Sequence, residues 1–238
     1  MQPDPILAVK DLHAHYGRAH ILQGVSLQAN AGEVVALLGR NGAGKSTTMK
    51  AIMGLVPPSR GDVVFSGRPL ARLAPYRIAR LGLGYVPEER RIFSDLTVME
   101  NLEVGRQTPR DGAPAWTPER LFALFPNLAE MRERPGGRMS GGEQQMLTIA
   151  RTLMGNPKCV LLDEPSEGLA PIIIEQMVAS IRALKAEGLA VLLSEQNLHF
   201  CLAVADRAYI IEKGQIRFGG TMVELASNAP LREQYLSV

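Results

Sequence analysis

The sequence predicts an α/β fold, in which parallel strands are covered by helices, with an N-terminal antiparallel β section and an inserted α-helical subdomain. Residues 34–38, 160–162 and 189–193 are continuous apolar runs. Strands that are buried on both faces of a sheet carry few polar residues, so these runs predict the core of the parallel sheet.

The antiparallel section is predicted by short apolar runs that Gly and Pro interrupt. Such runs occupy residues 6–9, 21–27 and 63–65. Their short length and the Gly and Pro residues around them are typical of strands. Near the C-terminus, residues 209–212 and 215–218 flank Lys213-Gly214. This pattern predicts a hairpin.

The inserted subdomain is predicted at residues 89–151, where strand signals vanish and helix starts appear. Thr97 is followed by Glu100 three residues later, and Thr117 precedes Pro118, which are both helix-start signals. We therefore expect a single domain over residues 1–238, with a core of 1–88 and 152–238. The apolar positions that we assign to the core of the subdomain are Leu121, Leu124, Phe125, Leu128 and Met131.

Composition narrows the classes of protein that the chain can belong to. Its 238 residues are 46% hydrophobic and 21% charged, with a net charge of +2, so we expect a folded chain without a nucleic-acid partner. No apolar run reaches the roughly 18 residues of a membrane helix. The start, Met1-Gln2-Pro3-Asp4-Pro5, lacks the pattern of a signal peptide, so we expect a cytoplasmic location.

The cysteines and histidines give no sign of a metal site. Cys159 falls in a predicted buried strand and Cys201 in a predicted helix, so both are interpreted as packing residues. The histidines lack metal-ligand spacing and are predicted to be surface residues. They are His13, His15, His20 and His199.

A phosphate-binding loop is predicted after the strand at 34–38 and before a helix at 47–53. Glycines let a backbone wrap phosphate oxygens, and the helix start directs its N–H groups and its dipole at them. Lys45 would contact the β- and γ-phosphates, and the Ser46 hydroxyl would ligate Mg²⁺. The predicted nucleotide-binding residues here are Gly39, Arg40, Asn41, Gly42, Ala43, Gly44, Lys45, Ser46 and Thr47.

Two carboxylates, Asp163 and Glu164, follow the apolar run at 160–162. The carboxyl ends of parallel strands are where open α/β sheets bind ligands. Asp163 is therefore predicted to hold Mg²⁺, and Glu164 to polarise the water that attacks the γ-phosphate.

A second anion site is predicted at Ser140-Gly141-Gly142-Glu143. Ser-x-x-Glu is a capping box, so a purely structural interpretation is also open. The two interpretations are compatible, because a helix start with two glycines and a hydroxyl also suits an anion. One chain does not need two such sites for one triphosphate.

These three motifs, in the order 39–46, 139–144 and 163–164, resemble the ATP-binding subunit of an ABC transporter, and the resemblance covers essentially the whole chain. It implies that two ATP molecules are held between two subunits, with Ser140 to Glu143 closing over the nucleotide of the partner. It also implies that Tyr16 stacks on adenine. A groove near Glu88 and residues 91–97 would receive a helix of a membrane subunit.

The chain departs from the pattern of that family at three positions. Glu88 stands where Gln is usual, and by the resemblance it would reach Mg²⁺ and the nucleotide. Gln196 stands where a catalytic His is usual; an amide can hydrogen-bond phosphate but cannot carry the charge of an imidazolium. Ala170 stands where Asp is usual. We expect these changes to weaken turnover at the chain's own site.

Four segments together resemble one of the two ATPase subunits of branched-chain amino acid importers. They are Val86-Pro87-Glu88, the segment from Ser140 to Met146, Gly168-Leu169-Ala170-Pro171 and Glu195-Gln196-Asn197. The resemblance implies a second ATPase subunit as partner, in a heterodimer, with a homodimer left open. It further implies two transmembrane permease subunits, an indirect link to a periplasmic solute-binding protein, and a peripheral location on the cytoplasmic face of the inner membrane.

Other functions stay open at this stage. Close relatives of this subclass serve importers of urea, short-chain amides or aromatic acids. A soluble ABC ATPase acting on ribosomes or DNA usually has paired domains, coiled arms or basic tracts, which this chain lacks. A small-molecule kinase with a phosphate loop would not explain the segment from Ser140 or the role of Glu164.

Overall fold

A computed structural model describes residues 4–236, which form two β-sheets and ten α-helices. The strands are β1 (Leu7–Tyr16), β2 (Ala19–Ala29), β3 (Val34–Leu38), β4 (Arg60–Phe65), β5 (Arg68–Pro69), β6 (Leu83–Val86), β7 (Cys159–Asp163), β8 (Ala190–Glu195), β9 (Arg207–Glu212) and β10 (Gln215–Thr221). The helices are α1 (Lys45–Ile52), α2 (Pro75–Arg80), α3 (Val98–Gly105), α4 (Pro118–Leu124), α5 (Pro126–Ala129), α6 (Gly141–Leu153), α7 (Pro171–Ala186), α8 (Leu198–Val204), α9 (Met222–Ser227) and α10 (Ala229–Leu236).

The larger sheet has the strand order β10-β9-β3-β8-β7-β6. All neighbours are parallel except β9 and β10, which form the predicted hairpin. Every residue of β3, β7 and β8 is buried, which confirms the predicted central strands. Because these strands are parallel, the loops that follow them open at one edge of the sheet, where the polar motifs lie.

The two faces of this sheet pack against different elements. In β3, Val34, Ala36 and Leu38 face an apolar cluster that includes α6, α7 and α8, while Val35 and Leu37 face a cluster with α1 and the second sheet. Each fully buried Val or Leu contributes about 1.5–3 kcal/mol of transfer free energy. The central strands are therefore fixed from both sides, and the loops at their ends start from rigid positions.

The second sheet is antiparallel, with the order β2-β1-β4-β5. The short N-terminal apolar runs, interrupted by Gly and Pro, predicted this antiparallel section. Val9 pairs with Leu27 on one side and with Val63 on the other. Gly61 has φ +95°, and a Cβ there would lie 2.2 Å from the Asp11 carbonyl oxygen. Only glycine permits this close crossing of β1 and β4.

Between β6 and β7 the regular elements are helical, as predicted. Thr97 and Ser140 form full capping boxes at α3 and α6, and the Thr117 hydroxyl accepts from the Arg120 N–H at the start of α4. The predicted core positions of this region are buried, with Leu124 partly exposed. The caps satisfy helix N–H groups that otherwise have no partner.

Strand β6 is the strand of the larger sheet that the sequence reasoning missed. It has four residues, and Gly84 interrupts its apolar pattern. It pairs only with β7 in the larger sheet, and a short edge strand with a glycine gives little periodicity to detect.

Two further predictions bear on the chain as a whole. Within residues 4–236, no helix combines the length and the apolar character that crossing a bilayer requires. The prediction made on Met1 to Pro5 falls largely outside the described residues, since the description begins at Asp4.

Candidate functional site

The loop between β3 and α1 is the predicted phosphate-binding loop. A Cβ at Gly39 would lie 2.4 Å from the Ile211 carbonyl oxygen, so the chain can pass here only with glycine. Gly44 adopts φ 113° at the N-cap of α1, and no side chain caps the helix. The first turn of α1 has no acidic residue. Its positive end is therefore free for an anion.

Lys45 is held under this loop by three oxygen atoms. Its Nζ donates to the Gly39 carbonyl at 2.7 Å and to the Arg40 carbonyl at 3.2 Å, and lies 2.8 Å from Glu164 Oε1. Lys45 and Glu164 are 4% and 7% exposed. A buried ion pair of this kind needs such additional hydrogen bonds to offset the loss of hydration.

Asp163, at the end of β7, collects three hydroxyl donors. Ser46 Oγ donates to Asp163 Oδ1 at 3.0 Å, Ser194 Oγ donates to the same atom at 2.6 Å, and the Tyr85 hydroxyl donates to Oδ2 at 3.1 Å. Burial, followed by the charge of Asp163, raises the pKa of Tyr85, so the phenol keeps its proton and donates. Hydroxyl and carboxylate oxygens that lie so close together are the ligand atoms that Mg²⁺ prefers.

Glu164 lies next to Asp163 in a left-handed backbone conformation, with φ 49°. Its N–H is 3.1 Å from both the carbonyl oxygen and the Oγ of Ser194. Gln196 Nε2 donates to Glu164 Oε2 at 3.4 Å. The two predicted catalytic residues, Glu164 and Gln196, are therefore in contact.

The pocket above the loop is lined by predicted and unpredicted residues together. Tyr16, half exposed at the end of β1, lies at its rim, and Glu88 is on its surface. Burial raises the pKa of Glu88, and the carboxylates of Glu167, Asp163 and Glu164 raise it further. Carboxylates that converge in this way favour a bound cation. The full lining is Tyr16, Ile21, Asn41, Gly42, Gly44, Lys45, Ser46, Thr47, Glu88, Glu164 and Glu167.

Three predicted loop residues do not line this pocket. Gly39 and Ala43 are buried beneath it, and the Arg40 side chain is exposed. Gly39 and Arg40 contribute their carbonyl groups to Lys45, and the Ala43 carbonyl accepts from the Gly214 N–H. Their contribution is main-chain geometry.

The segment from Ser140 lies outside the pocket that contains Lys45. The Ser140 hydroxyl accepts from the Glu143 N–H, and Glu143 Oε2 accepts from the Ser140 N–H at 2.7 Å. A Cβ on Gly141 would lie 2.6 Å from Arg90 Nη1, and one on Gly142 would lie 3.0 Å from Ile173. Gly142 is therefore closely packed within the chain, whereas the flexible Arg90 side chain could move aside for a Cβ at Gly141.

Sequence reasoning missed four polar residues of the site: Tyr85, Glu167, Ser194 and Glu195. Ser194 and Glu195 directly follow the predicted strand at 189–193 and are the last two residues of β8. Polar residues at the carboxyl end of such a strand are a signal that could have found them.

Sequence reasoning also missed a cluster of histidines on the second, antiparallel sheet. His13 Nδ1 lies 3.0 Å from His20 Nε2, and the rings of His15 and His20 stack with their centroids 4.2 Å apart. Asp11 Oδ1 is 3.0 Å from His13 Nε2. The register of β1 and β2, which pairs His15 with His20, produces this contact and was not evident from spacing.

Comparisons with known proteins place the chain in a family. Residues 22–167 match the ABC transporter family. The chain is 44% identical, over 97% of its length and 99% of the relative, to the high-affinity branched-chain amino acid transport ATP-binding protein BraG of Pseudomonas aeruginosa. It is 37% identical to the lipopolysaccharide export system ATP-binding protein LptB of Haemophilus influenzae, over 97% of both chains.

Solved structures agree with this family. The crystal structure of a nucleotide-free ATP-binding cassette from an ABC transporter matches with a TM-score of 0.82 and 27% identity, over 97% of this chain and 98% of that one. A cassette in its ADP conformation matches with a TM-score of 0.81 and 28% identity, over the same shares. This confirms the predicted fold class.

The chain therefore belongs to the ABC transporter family, as an ATP-binding and ATP-hydrolysing subunit. Subunits of this kind dimerise and work with membrane permease subunits.

Proposed function

We propose that this chain energises the uptake of branched-chain or other hydrophobic amino acids through two permease subunits. The 44% identity to BraG over nearly the whole of both chains supports this solute class. So do the resemblances at Glu88, Ser140 and Gln196. The LptB relatives, at 36–37% identity, favour lipopolysaccharide export as the second candidate.

The observation that carries the ATPase mechanism is the contact of the end of β7 with the first residues of α1. Lys45 lies 2.8 Å from Glu164, and Ser46 lies 3.0 Å from Asp163. In our proposal, Lys45 exchanges its ion pair with Glu164 for the β- and γ-phosphates of ATP. The N–H groups at the start of α1 bind the phosphate oxygens.

Ser46 and Asp163 would hold Mg²⁺, with Glu88 near enough to reach it from the pocket surface. The ion would neutralise phosphate charge during transfer. Tyr85 and Ser194 orient Asp163 through their hydroxyl donors. Oriented ligands of this kind are the usual support of a metal site.

Glu164, once released from Lys45, would accept a hydrogen bond from the attacking water. Its neighbour Gln196 would position the γ-phosphate through its amide. General-base assistance of this kind contributes about 10²–10⁴-fold to a rate. Because Gln196 cannot carry a positive charge, we expect slower turnover at this site than at one with His.

The segment from Ser140 to Glu143 would close over ATP held by a second ATPase subunit, while Tyr16 stacks on adenine at the chain's own site. We favour a heterodimer, because Glu88, Ala170 and Gln196 all depart from the usual residues. A partner subunit with the usual residues at these positions would hydrolyse ATP faster, so the transporter could still turn over despite the departures in this chain. A homodimer remains the alternative outcome of a measurement of subunit stoichiometry.

A groove beside Glu88 would receive a helix of a permease subunit, and residues 89–151 would act as a helical subdomain on one side of it. Four large apolar residues that line this groove are between 47% and 57% exposed, and such an exposed apolar patch suits a docking surface. They are Leu55, Tyr76, Phe93 and Val104. This would hold the chain peripherally at the cytoplasmic face of the membrane, linked only indirectly to a periplasmic solute-binding protein.

The test of the solute is uptake by cells that lack this chain. We expect uptake of radiolabelled leucine to be lost and to return with the parent chain, but not with Glu164→Gln. Normal leucine uptake together with defective lipopolysaccharide export would favour the second candidate. Loss of urea, short-chain amide or aromatic-acid uptake instead would point to the other importers.

A further inference from the structure

We propose that Glu195 is a positioning residue that ties the segment after Glu164 to the segment that carries Gln196, so that both move as one unit during ATP turnover. The inference rests on the proposed roles of Glu164 and Gln196. It adds a residue that touches neither phosphate nor water.

The side chain of Glu195 bridges two loops. Glu195 is the last residue of β8 and is 1% exposed. Its Oε1 accepts from the Ser166 N–H at 2.9 Å, in the loop after β7. Its Oε2 accepts from the Gln196 N–H at 3.2 Å and from the Asn197 N–H at 3.4 Å, in the loop after β8. One carboxylate thus holds both loops by their main chains.

The main chain of Glu195 holds a third loop. Its carbonyl oxygen accepts from the Gly39 N–H at 3.3 Å, at the beginning of the phosphate-binding loop. Glu195 is therefore hydrogen-bonded to each of the three loops that follow β3, β7 and β8. These loops carry the residues that we predict to contact phosphate or water. A shift of Glu195 would displace all three together.

The buried carboxylate of Glu195, like that of Asp163, is not neutralised by a cation among the described residues. Among residues 4–236, its carboxylate has no Lys, Arg or His partner within ion-pairing distance, whereas neighbouring Glu164 is paired with Lys45. A buried carboxylate without a cation opposes stability. The presence of Glu195 at a strand end is better explained by the N–H groups that its two oxygens hold than by packing.

The contacts of Glu195 close a ring around the proposed catalytic pair. Ser166 lies two residues after Glu164, Gln196 follows Glu195 directly, and Gln196 Nε2 returns to Glu164 Oε2 at 3.4 Å. Opening the ring at Glu195 frees the two loops to move separately. Glu164 and Gln196 would then lose their common alignment while the phosphate-binding loop remains intact.

The first test compares Glu195→Gln with the matched surface change Glu175→Gln, which lies on the exposed face of α7. The amide keeps the volume of Glu195, but its NH₂ group must face a backbone N–H. We expect kcat for ATP to fall at least about tenfold, because small misplacements of reacting groups have large effects on rate. KM for ATP and ATP affinity should stay within about twofold, since no phosphate contact is removed.

A second variant, Glu195→Asp, keeps the charge but shortens the side chain by one methylene, so it cannot hold both loops. We expect it to lose kcat in the same way. A parental kcat in Glu195→Asp would overturn the proposal, because a carboxylate too short to bridge the two loops would then be sufficient for turnover. An equal loss of kcat and ATP affinity in both variants would also overturn it, since that pattern indicates general damage to the fold.

Hydrogen exchange tests the bridge without relying on activity. In Glu195→Gln we expect the amides of Ser166, Gln196 and Asn197 to exchange faster than in the parent, while the amides of β7 keep parental rates. In the control variant Glu175→Gln, all of these amides should exchange at parental rates. Unchanged exchange at all three amides would refute the bridge. If the parent chain bound no ATP, the proposed function would fail, and the exchange data would still decide whether Glu195 joins the loops.

Discussion

The starts of α1 and α6 look similar in sequence but differ in electrostatics. Gly44 begins α1 with no side-chain cap and no acidic residue in the first turn. Ser140 begins α6 with a complete capping box, which brings Glu143 to the first turn. The N–H groups of α1 are thus free for an anion, whereas those of α6 are partly used and shielded by a carboxylate.

This difference shows why the two glycine-containing helix starts need not have equal roles. In our proposal, the start of helix α1 and Lys45 together supply an anion site from within one chain. Helix α6 offers a hydroxyl and has the Arg90 guanidinium beside Gly141, but its capping carboxylate pairs with no cation in the described residues. Because that carboxylate would repel an anion, in our proposal the ligand of α6 is held mainly by the partner and α1 is the primary site.

The largest expected effect comes from the cation at α1. Lys45→Ala should weaken ATP binding by on the order of a hundredfold, because it removes the phosphate partner and leaves Glu164 buried without its cation. Binding of a fluorescent ATP analogue measures this. Lys50→Ala, on the same helix, is the control and should bind normally. Equal affinity of Lys45→Ala and the parent would contradict the assignment of α1.

Glu164→Gln should separate binding from chemistry at the same site. We expect ATP affinity to be kept and hydrolysis to fall by about a hundredfold or more, since only the water-polarising carboxylate is lost. ATP-dependent association, followed by light scattering, should become more stable. The control is Glu175→Gln, which lies on the exposed face of α7 outside this pocket. Hydrolysis at the parental rate would show that Glu164 is not the catalytic base.

Ser140→Arg tests whether α6 acts on a partner's nucleotide. The change removes a helix cap, at a cost of about 1 kcal/mol, and puts bulk where the nucleotide would approach. ATP binding at the chain's own pocket should persist while ATP-dependent association is lost. Thr221→Arg, at the equivalent capping box of α9, is the matched control. Normal association and hydrolysis by Ser140→Arg would remove α6 from the mechanism.

The smallest effect is expected at Glu88, on the surface of the α1 pocket. Its raised pKa means that it loses its proton at a higher pH than an ordinary glutamate. Glu88→Gln should therefore match the parent at low pH, where Glu88 is neutral. At higher pH it should need about two- to threefold more Mg²⁺ for half-maximal hydrolysis, because a charged ligand is missing. An Mg²⁺ requirement equal to the parent's at every pH would exclude Glu88 as a ligand.

Particular elements show how far sequence reasoning reached. The capping boxes of α3 and α6 were evident from Thr97 with Glu100 and from Ser140 with Glu143, because capping depends on residues three positions apart. Strand β6 was not evident, since its four residues are recruited by pairing with β7. Within the site, Lys45 and Asp163 were found from local motifs. Ser194 and Glu195 were missed because they act across strands.

The sequence by itself predicted the α/β class, the glycine-rich loop before α1, the two carboxylates at the end of β7 and the capped start of α6. Each of these is a local pattern, in which a few neighbouring residues set backbone conformation or burial. Only the tertiary structure decided that Lys45 pairs with Glu164, that Tyr85 and Ser194 hold Asp163, and that Glu195 joins three loops. Those contacts depend on the order in which parallel strands assemble, and strand order is set by packing between residues far apart in the chain.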